Sequence, residues 1–153
     1  MDDPMRRPAR NGNARTATLL GFDFGTSRIG VAVGVPSTGS ASPLTTLRAV
    51  RKNPDWEAIM RLIDVWQPAA LVVGLPLNMD GSESEMTARA QRFSRQLHGR
   101  TRLPVHLADE RLTSAEAAYR LHDAGGHVNR TDGQVDAIAA QIILETWFAE
   151  EPS

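Results

Sequence analysis

The stretch Leu19-Leu20-Gly21-Phe22-Asp23-Phe24-Gly25-Thr26-Ser27-Arg28-Ile29-Gly30-Val31-Ala32-Val33-Gly34-Val35 decides the fold. Thr18 to Phe24 is apolar and β-prone, Gly25 to Arg28 reads as a turn, and Ile29 to Val35 resumes the strand pattern. The segment therefore predicts a β-hairpin. One residue breaks its pattern. Aspartate is depleted in strands, yet Asp23 stands between two phenylalanines. With Phe22 and Phe24 on one side of a sheet, Asp23 falls on the other, where we also place Leu20. Asp23 reads equally well as a strand-end aspartate bonded to the Gly25-Thr26-Ser27 turn and as a residue placed there for chemistry.

Downstream of the hairpin, Pro36 to Pro43 is turn-rich and Leu44 to Val50 predicts a third strand. Asn53-Pro54 reads as a helix start, with an Asn cap and Pro at the first helical position. Trp56, Ile59, Met60, Ile63 and Trp66 recur at helical spacing until Pro68. Ala70 to Leu75 is a short apolar strand of the kind buried on both faces, and Pro76 to Gly81 is a loop. Met86, Ala90, Phe93 and Leu97 mark a second helix ending near Gly99, and Val105 to Ala108 is a further strand. Thr113 with Glu116 and Thr131 with Gln134 form capping boxes. The first opens a helix to about Leu121, closed by Gly125-Gly126, and the second a helix to about Phe148. This order predicts a single α/β domain with a mixed sheet over residues 17–149. Residues 1–16 form a basic leader rich in Pro, Asn, Gly and Arg, expected to be disordered.

The composition narrows the function classes. With 153 residues, 41% hydrophobic and 23% charged, the chain is neither a wholly disordered protein nor a small disulfide scaffold. The absence of cysteine excludes disulfides, thiolate zinc sites and a cysteine nucleophile. No apolar run approaches a bilayer span, and no apolar segment follows the early arginines, so we expect a cytosolic domain with no membrane association. The net charge of -1 does not itself advertise a polyanion partner. Of 17 basic residues, all but Lys52 are arginine, which suits bidentate phosphate contacts.

Two further acidic positions stand out. Asp109-Glu110, with Arg111 after them, follow the strand Val105 to Ala108 directly, where open α/β sheets place ligands; ordinary loop acidity paired with Arg111 is the simpler alternative. Asp136 sits in the last helix, on the flank of a stripe made by Val135, Ile138, Ala139, Ile142, Ile143 and Thr146. An acid there needs a partner, either an arginine (Arg28 or Arg111) or a metal ion. Convergent carboxylates from a first strand, a later strand end and a last helix make an all-oxygen site suited to Mg²⁺. Two such ions roughly 4 Å apart activate water and stabilise the leaving oxygen in phosphodiester cleavage. The four histidines lack metal-ligand spacing, no Gly-x-Ser-x-Gly elbow occurs, and Val31 stands where a P-loop lysine would be.

Four blocks resemble the YqgF/RuvX family: Asp23-Phe24-Gly25-Thr26-Ser27-Arg28-Ile29-Gly30-Val31-Ala32, Val72-Val73-Gly74-Leu75-Pro76-Leu77-Asn78-Met79-Asp80-Gly81, Asp109-Glu110-Arg111-Leu112-Thr113-Ser114, and Asp136-Ala137-Ile138-Ala139-Ala140. They occur in order across about Leu19 to Leu144. The resemblance implies an RNase H-like mixed β-sheet of about five strands flanked by helices on both faces. It also implies a Mg²⁺- or Mn²⁺-dependent nuclease acting on a ribosomal RNA precursor or on branched DNA. Asp23, Glu110 and Asp136 would be the catalytic, metal-binding acids, with Asp109 the alternative to Glu110. Thr26, Arg28, Asn78, Arg111 and Arg130 would contact substrate. The family's basic stretch before the last aspartate is reduced here to Arg130, so either Arg28, Arg111, Arg120 and the basic tail compensate or polyanion binding is weak.

Two other functions compete. Asp23 to Thr26 also fits the Asp-x-Gly-Thr phosphate hairpin of the actin and sugar-kinase superfamily, whose members enclose ATP between two such domains. The same fold also serves non-catalytic nucleic-acid-binding factors in ribosome assembly or transcription. Junction resolution would require a homodimer, whereas trimming an RNA end needs only a monomer.

Overall fold

The computed structural model describes residues 17–51, 53–110 and 132–150. The leader, the helix expected from Thr113, Arg111, Arg130 and the Thr131 cap lie outside the described residues. The opening hairpin forms as its alternation requires. Strand β1 (Leu19–Phe24) pairs antiparallel with β2 (Arg28–Val35) in unbroken register from Leu19↔Gly34 to Phe24↔Ile29. Leu20 lies with Phe22 and Phe24, not with Asp23 as we expected. Strict period-two alternation groups Leu19, Gly21 and Asp23 on the other face.

The chain continues through β3 (Ser40–Val50), β4 (Asn53–Pro54), α1 (Trp56–Trp66), β5 (Ala70–Leu75), α2 (Glu85–Thr101), β6 (Val105–Asp109) and a last helix, α3 (Asp132–Glu150). The six described strands lie in the order β4-β3-β2-β1-β5-β6. β1 is parallel to β5, and β5 to β6, so the sheet is mixed. β3 starts earlier than expected, because Pro43 is accommodated at an irregularity where the register steps from Val31↔Thr45 to Ala32↔Pro43. A bulge on a strand with an open edge tolerates the missing N–H.

The sixth strand, beyond the five expected, is the two-residue β4. Asn53-Pro54 pairs with Ala49 and Val50 instead of starting a helix. The cap of α1 is Asp55, whose carboxylate accepts from the Ala58 N–H at 3.1 Å. α2 begins with a Ser84–Thr87 capping box. It passes Gly99 and ends at Thr101, with Arg102 left-handed at φ 63°.

The two faces of the sheet carry different residue sizes. One presents Leu20, Phe22, Ile29, Val31, Leu71 and Val73, packed against Ile59 and Leu62 of α1 and Ala90, Phe93 and Leu97 of α2. Phe93 stands at the centre of an aromatic group, its ring centroid 5.8 Å from Phe22, 4.9 Å from Phe24 and 5.6 Å from Trp56. The other face presents smaller side chains. Leu19, Ala32, Val72 and Ala108 meet Ala140, Ile143 and Leu144 of α3, and a Cβ on Gly21 would run into the Leu144 side chain. Glycines within strands permit such close approach, so α3 lies low on this face.

The buried positions of α3 are Ala137, Ala140, Ile142, Ile143 and Leu144, not the expected stripe through Ile138 and Thr146. The helix is apolar around most of its circumference, so periodicity does not single out a face. On the observed face Asp136 projects in the same sector as Ala140 and Ile143; it belongs to the sheet-facing side rather than its flank.

Candidate active site

Asp23 occupies the carboxyl-terminal part of β1, a central strand, on the α3 side of the sheet. Its partner on β2 is Gly30, and extending the β1–β5 register by one residue sets Gly74 beside it on β5. The row therefore reads glycine, aspartate, glycine, and each glycine makes room for a different part of the site. A Cβ on Gly30 would collide with the backbone carbonyl of Asp136, so α3 rests there directly on β2. A Cβ on Gly74 would come within 2.5 Å of the Glu110 Oε2 and of the Ile143 Cδ1. The Glu110 carboxylate thus lies above Gly74, next to the row that contains Asp23.

The electrostatics follow from this convergence. Burial first, then the negative charges of Glu110 and Asp136, push the Asp23 carboxyl up from 3.8 to about 8. Glu110 is also raised, by burial and then by Asp109. No hydrogen bond or ion pair to the Asp23 carboxyl is found among the described residues. Such a group is costly to ionise unless a cation arrives.

Asp136 accepts an ion pair from Arg28, Nε to Oδ2 at 2.6 Å, with the two side chains 43% and 21% exposed. A pair this open to water contributes at most about 1 kcal/mol, so Asp136 is exchangeable to another cation. Among the described residues no group of three or more His, Asp or Glu side chains is already drawn together around a metal position.

The other expected site residues divide. Thr26 is exposed in the turn between β1 and β2, and Arg28 borders the acids. Asp109 ends β6 opposite Leu75, and it is Glu110, not Asp109, whose charge acts on Asp23. Asn78 closes its own loop. Its Nδ2 donates to the Ser82 Oγ at 3.0 Å and its N–H to the Ser82 carbonyl at 2.9 Å, so its polar groups hold a turn. Arg111 and Arg130 lie outside the described residues. Sequence reasoning missed Arg48, which is exposed and directly opposite Arg28 in the β2–β3 register; paired residues share a face, so two arginines border the acids. The glycine row was also missed, although glycines inside strands are a readable signal of close approach.

A mixed sheet covered by helices on both faces is the RNase H-like fold. The fold is similar to that of T. thermophilus RuvC in complex with a Holliday junction substrate, with a TM-score of 0.54 and 17% identity over 88% of this chain and 94% of that one. It is similar also to Fowlpox virus resolvase in complex with Holliday junction DNA, with a TM-score of 0.52 and 7% identity over 87% and 97% of the two chains. The chain itself belongs to the RuvX family, whose model, described as "RuvX: Holliday junction resolvase", matches residues 17–150. A Yersinia enterocolitica protein described as "Putative pre-16S rRNA nuclease" is 51% identical over 88% of this chain and 96% of its own length. A Yersinia pestis protein of the same description is 52% identical over the same shares. Among the described residues no helix is long and apolar enough to cross a membrane.

Proposed function

We propose that this chain is a Mg²⁺- or Mn²⁺-dependent endonuclease acting on structured RNA, with pre-16S ribosomal RNA as its substrate and Asp23, Glu110 and Asp136 as its catalytic acids. The observation that carries this reading is Asp23, a deeply set carboxyl between two other acids, holding its proton to about pH 8 with no donor among the described residues to satisfy it. A site of that kind suits a hard divalent cation, because its donors are all carboxylate oxygens. Asp23, Glu110 and Asp136 would hold the ion, which when bound supplies charge stabilisation at the phosphodiester and a lowered pKa for water.

The chain's own residues do the rest. Asp23, raised by burial and by its acidic neighbours, would have to give up its proton for a cation to be held there, and the water-exposed Arg28 pair leaves Asp136 able to contribute its carboxylate. Arg28 and Arg48, opposite each other on β2 and β3, would supply positive charge for a phosphate, with Thr26 in the turn after β1. Asn78 shapes the neighbouring loop. The RNA substrate is favoured by the description of the relatives, since carboxylates and arginines of this kind contact phosphate and not base identity.

The test is cleavage with Mg²⁺ or Mn²⁺ at low salt, offering a ribosomal RNA precursor and a four-way DNA junction to wild type and to Asp136→Asn. Cleavage of the precursor by wild type alone is expected. Equal cleavage by both proteins would remove Asp136 from the site, and cleavage confined to the junction would transfer the activity to DNA.

A further inference from the structure

On the opposite side of the sheet from the acids, a groove of about 530 Å³ opens between the carboxyl end of β1 and helices α1 and α2. Among the described residues its lining contains three arginines and no carboxylate. Arg89 is engaged by Glu85 at 2.6 Å, whereas Arg92 and Arg100 are exposed and form no ion pair among the described residues. The floor is a continuous stack. Phe93 lies against Trp56 at 5.6 Å and 29° between planes, and the Arg100 guanidinium sits over the Trp56 ring, 4.3 Å from its centroid. Asn53 and Gln96 add amides at the rim. Phe24, which also lines the groove, follows Asp23 directly in the chain. The groove therefore begins where the acidic row ends, roughly one layer thickness away around the end of β1.

We propose that this groove binds a single-stranded nucleic-acid segment flanking the cleaved bond. A base stacks on the outer face of the Arg100 guanidinium, extending the Phe93–Trp56–Arg100 stack, while Arg92 and the in-plane N–H groups of Arg100 hold adjacent phosphates. The volume suits one or two nucleotides and excludes a duplex. The choice of nucleic acid over another anion rests on the nuclease reading above, but the groove shares no residue with the acids and is testable without them.

The experiment measures binding of a short fluorescent single-stranded RNA to the full chain in EDTA, where no cleavage occurs, across a range of salt. Arg92→Ala/Arg100→Ala is expected to weaken binding about tenfold or more at low salt and to reduce the slope of log affinity against log salt by about 1.4. Arg61→Ala/Arg95→Ala, which removes the same charge from exposed positions outside the groove, is expected to stay near wild type. Melting curves matching wild type for both variants are expected, since all four side chains are exposed. Equal losses from the two pairs, no loss from the first, or no binding by wild type would each overturn the groove. Mg²⁺-dependent cleavage in a parallel reaction separates the two readings: cleavage without groove binding defeats only this proposal, and groove binding without cleavage defeats only the nuclease.

Discussion

Replacing Asp23 with asparagine isolates the electrostatic strain built into the acidic row. In the metal-free protein the folded-state Asp23 carboxyl titrates at about 8 instead of 3.8. A carboxyl raised in this way contributes its full stability below its unfolded pKa and loses it as pH rises toward the folded pKa, because the unfolded chain ionises first. From about pH 5 to about pH 8 the unfolded residue is ionised while the folded one largely keeps its proton. The slope then approaches 1.36 kcal/mol per pH unit, or about 4 kcal/mol across the window as a ceiling. Local relaxation and water entering the cleft reduce this to roughly half, about 2 kcal/mol.

The assay is urea unfolding of wild type and Asp23→Asn in EDTA at both pH values. Asparagine does not titrate, so the stability of wild type relative to the variant is expected to fall by about 2 kcal/mol between about pH 5 and about pH 8. Glu110, raised by burial and by Asp109, loses stability in the same direction in both proteins, so the difference reports Asp23 together with its coupling to Glu110. Adding Mg²⁺ reverses the sign for wild type alone, since the ion competes with the proton and binds more tightly as pH rises. A wild-type-to-variant difference that is flat with pH would refute the reasoning, because it would mean that Asp23 ionises in the folded protein as readily as in the unfolded chain.

Other perturbations probe the geometry around that carboxyl. Gly74→Ala brings a methyl within 2.5 Å of the Glu110 Oε2 and the Ile143 Cδ1. It is expected to cost about 1–3 kcal/mol in urea unfolding and to abolish divalent-dependent stabilisation by displacing Glu110. Gly30→Ala meets backbone rather than a side chain, the Asp136 carbonyl, so its loss of stability should exceed that of Gly74→Ala in the same titration. Arg28→Ala removes an ion pair open to water, and its stability should stay within about 1 kcal/mol of wild type while KM for the RNA rises. Phe93→Ala, at the centre of the Phe22, Phe24 and Trp56 contacts, should cost about 3–5 kcal/mol by chemical denaturation.

The parts of this structure legible in the sequence are those in which one local rule had no competitor. The hairpin declared itself through period-two alternation and a Gly-Thr-Ser turn, and β5 through a short apolar run. Asp23 and the Asp109-Glu110 pair stood out because each fell at the end of a strand, while the choice of Glu110 within the pair came from the family resemblance. Asn53-Pro54 misled because a Pro after a capping residue fits a helix start as well as a short edge strand, and Asp55 was available as an equally good cap. The buried face of α3 was unreadable for the opposite reason. Ala and Ile surround it, so tertiary packing alone chose Ala137, Ala140 and Leu144. Arg48 depends on the register of β3 beyond an irregularity, and the arginine groove on the packing of two helices. Neither is encoded in a local pattern.

The unequal faces of the sheet explain how the chain bears an acidic row at all. Large side chains, with Phe22, Ile29, Leu71 and Phe93 almost completely buried, form the α1 and α2 side, and burial of this kind contributes on the order of 2 kcal/mol per side chain. On the α3 side, small residues bring the helix backbone down onto Gly30 and thereby set the height of Asp136 relative to Asp23. Carboxylates from β1, the end of β6 and α3 are thus positioned by strand register and by the close backbone contact of α3 at Gly30. Sites mounted on strands and helices keep their geometry better than sites on loops. On the proposed nuclease reading, the core on the far face sustains their mutual repulsion, which a divalent cation would relieve.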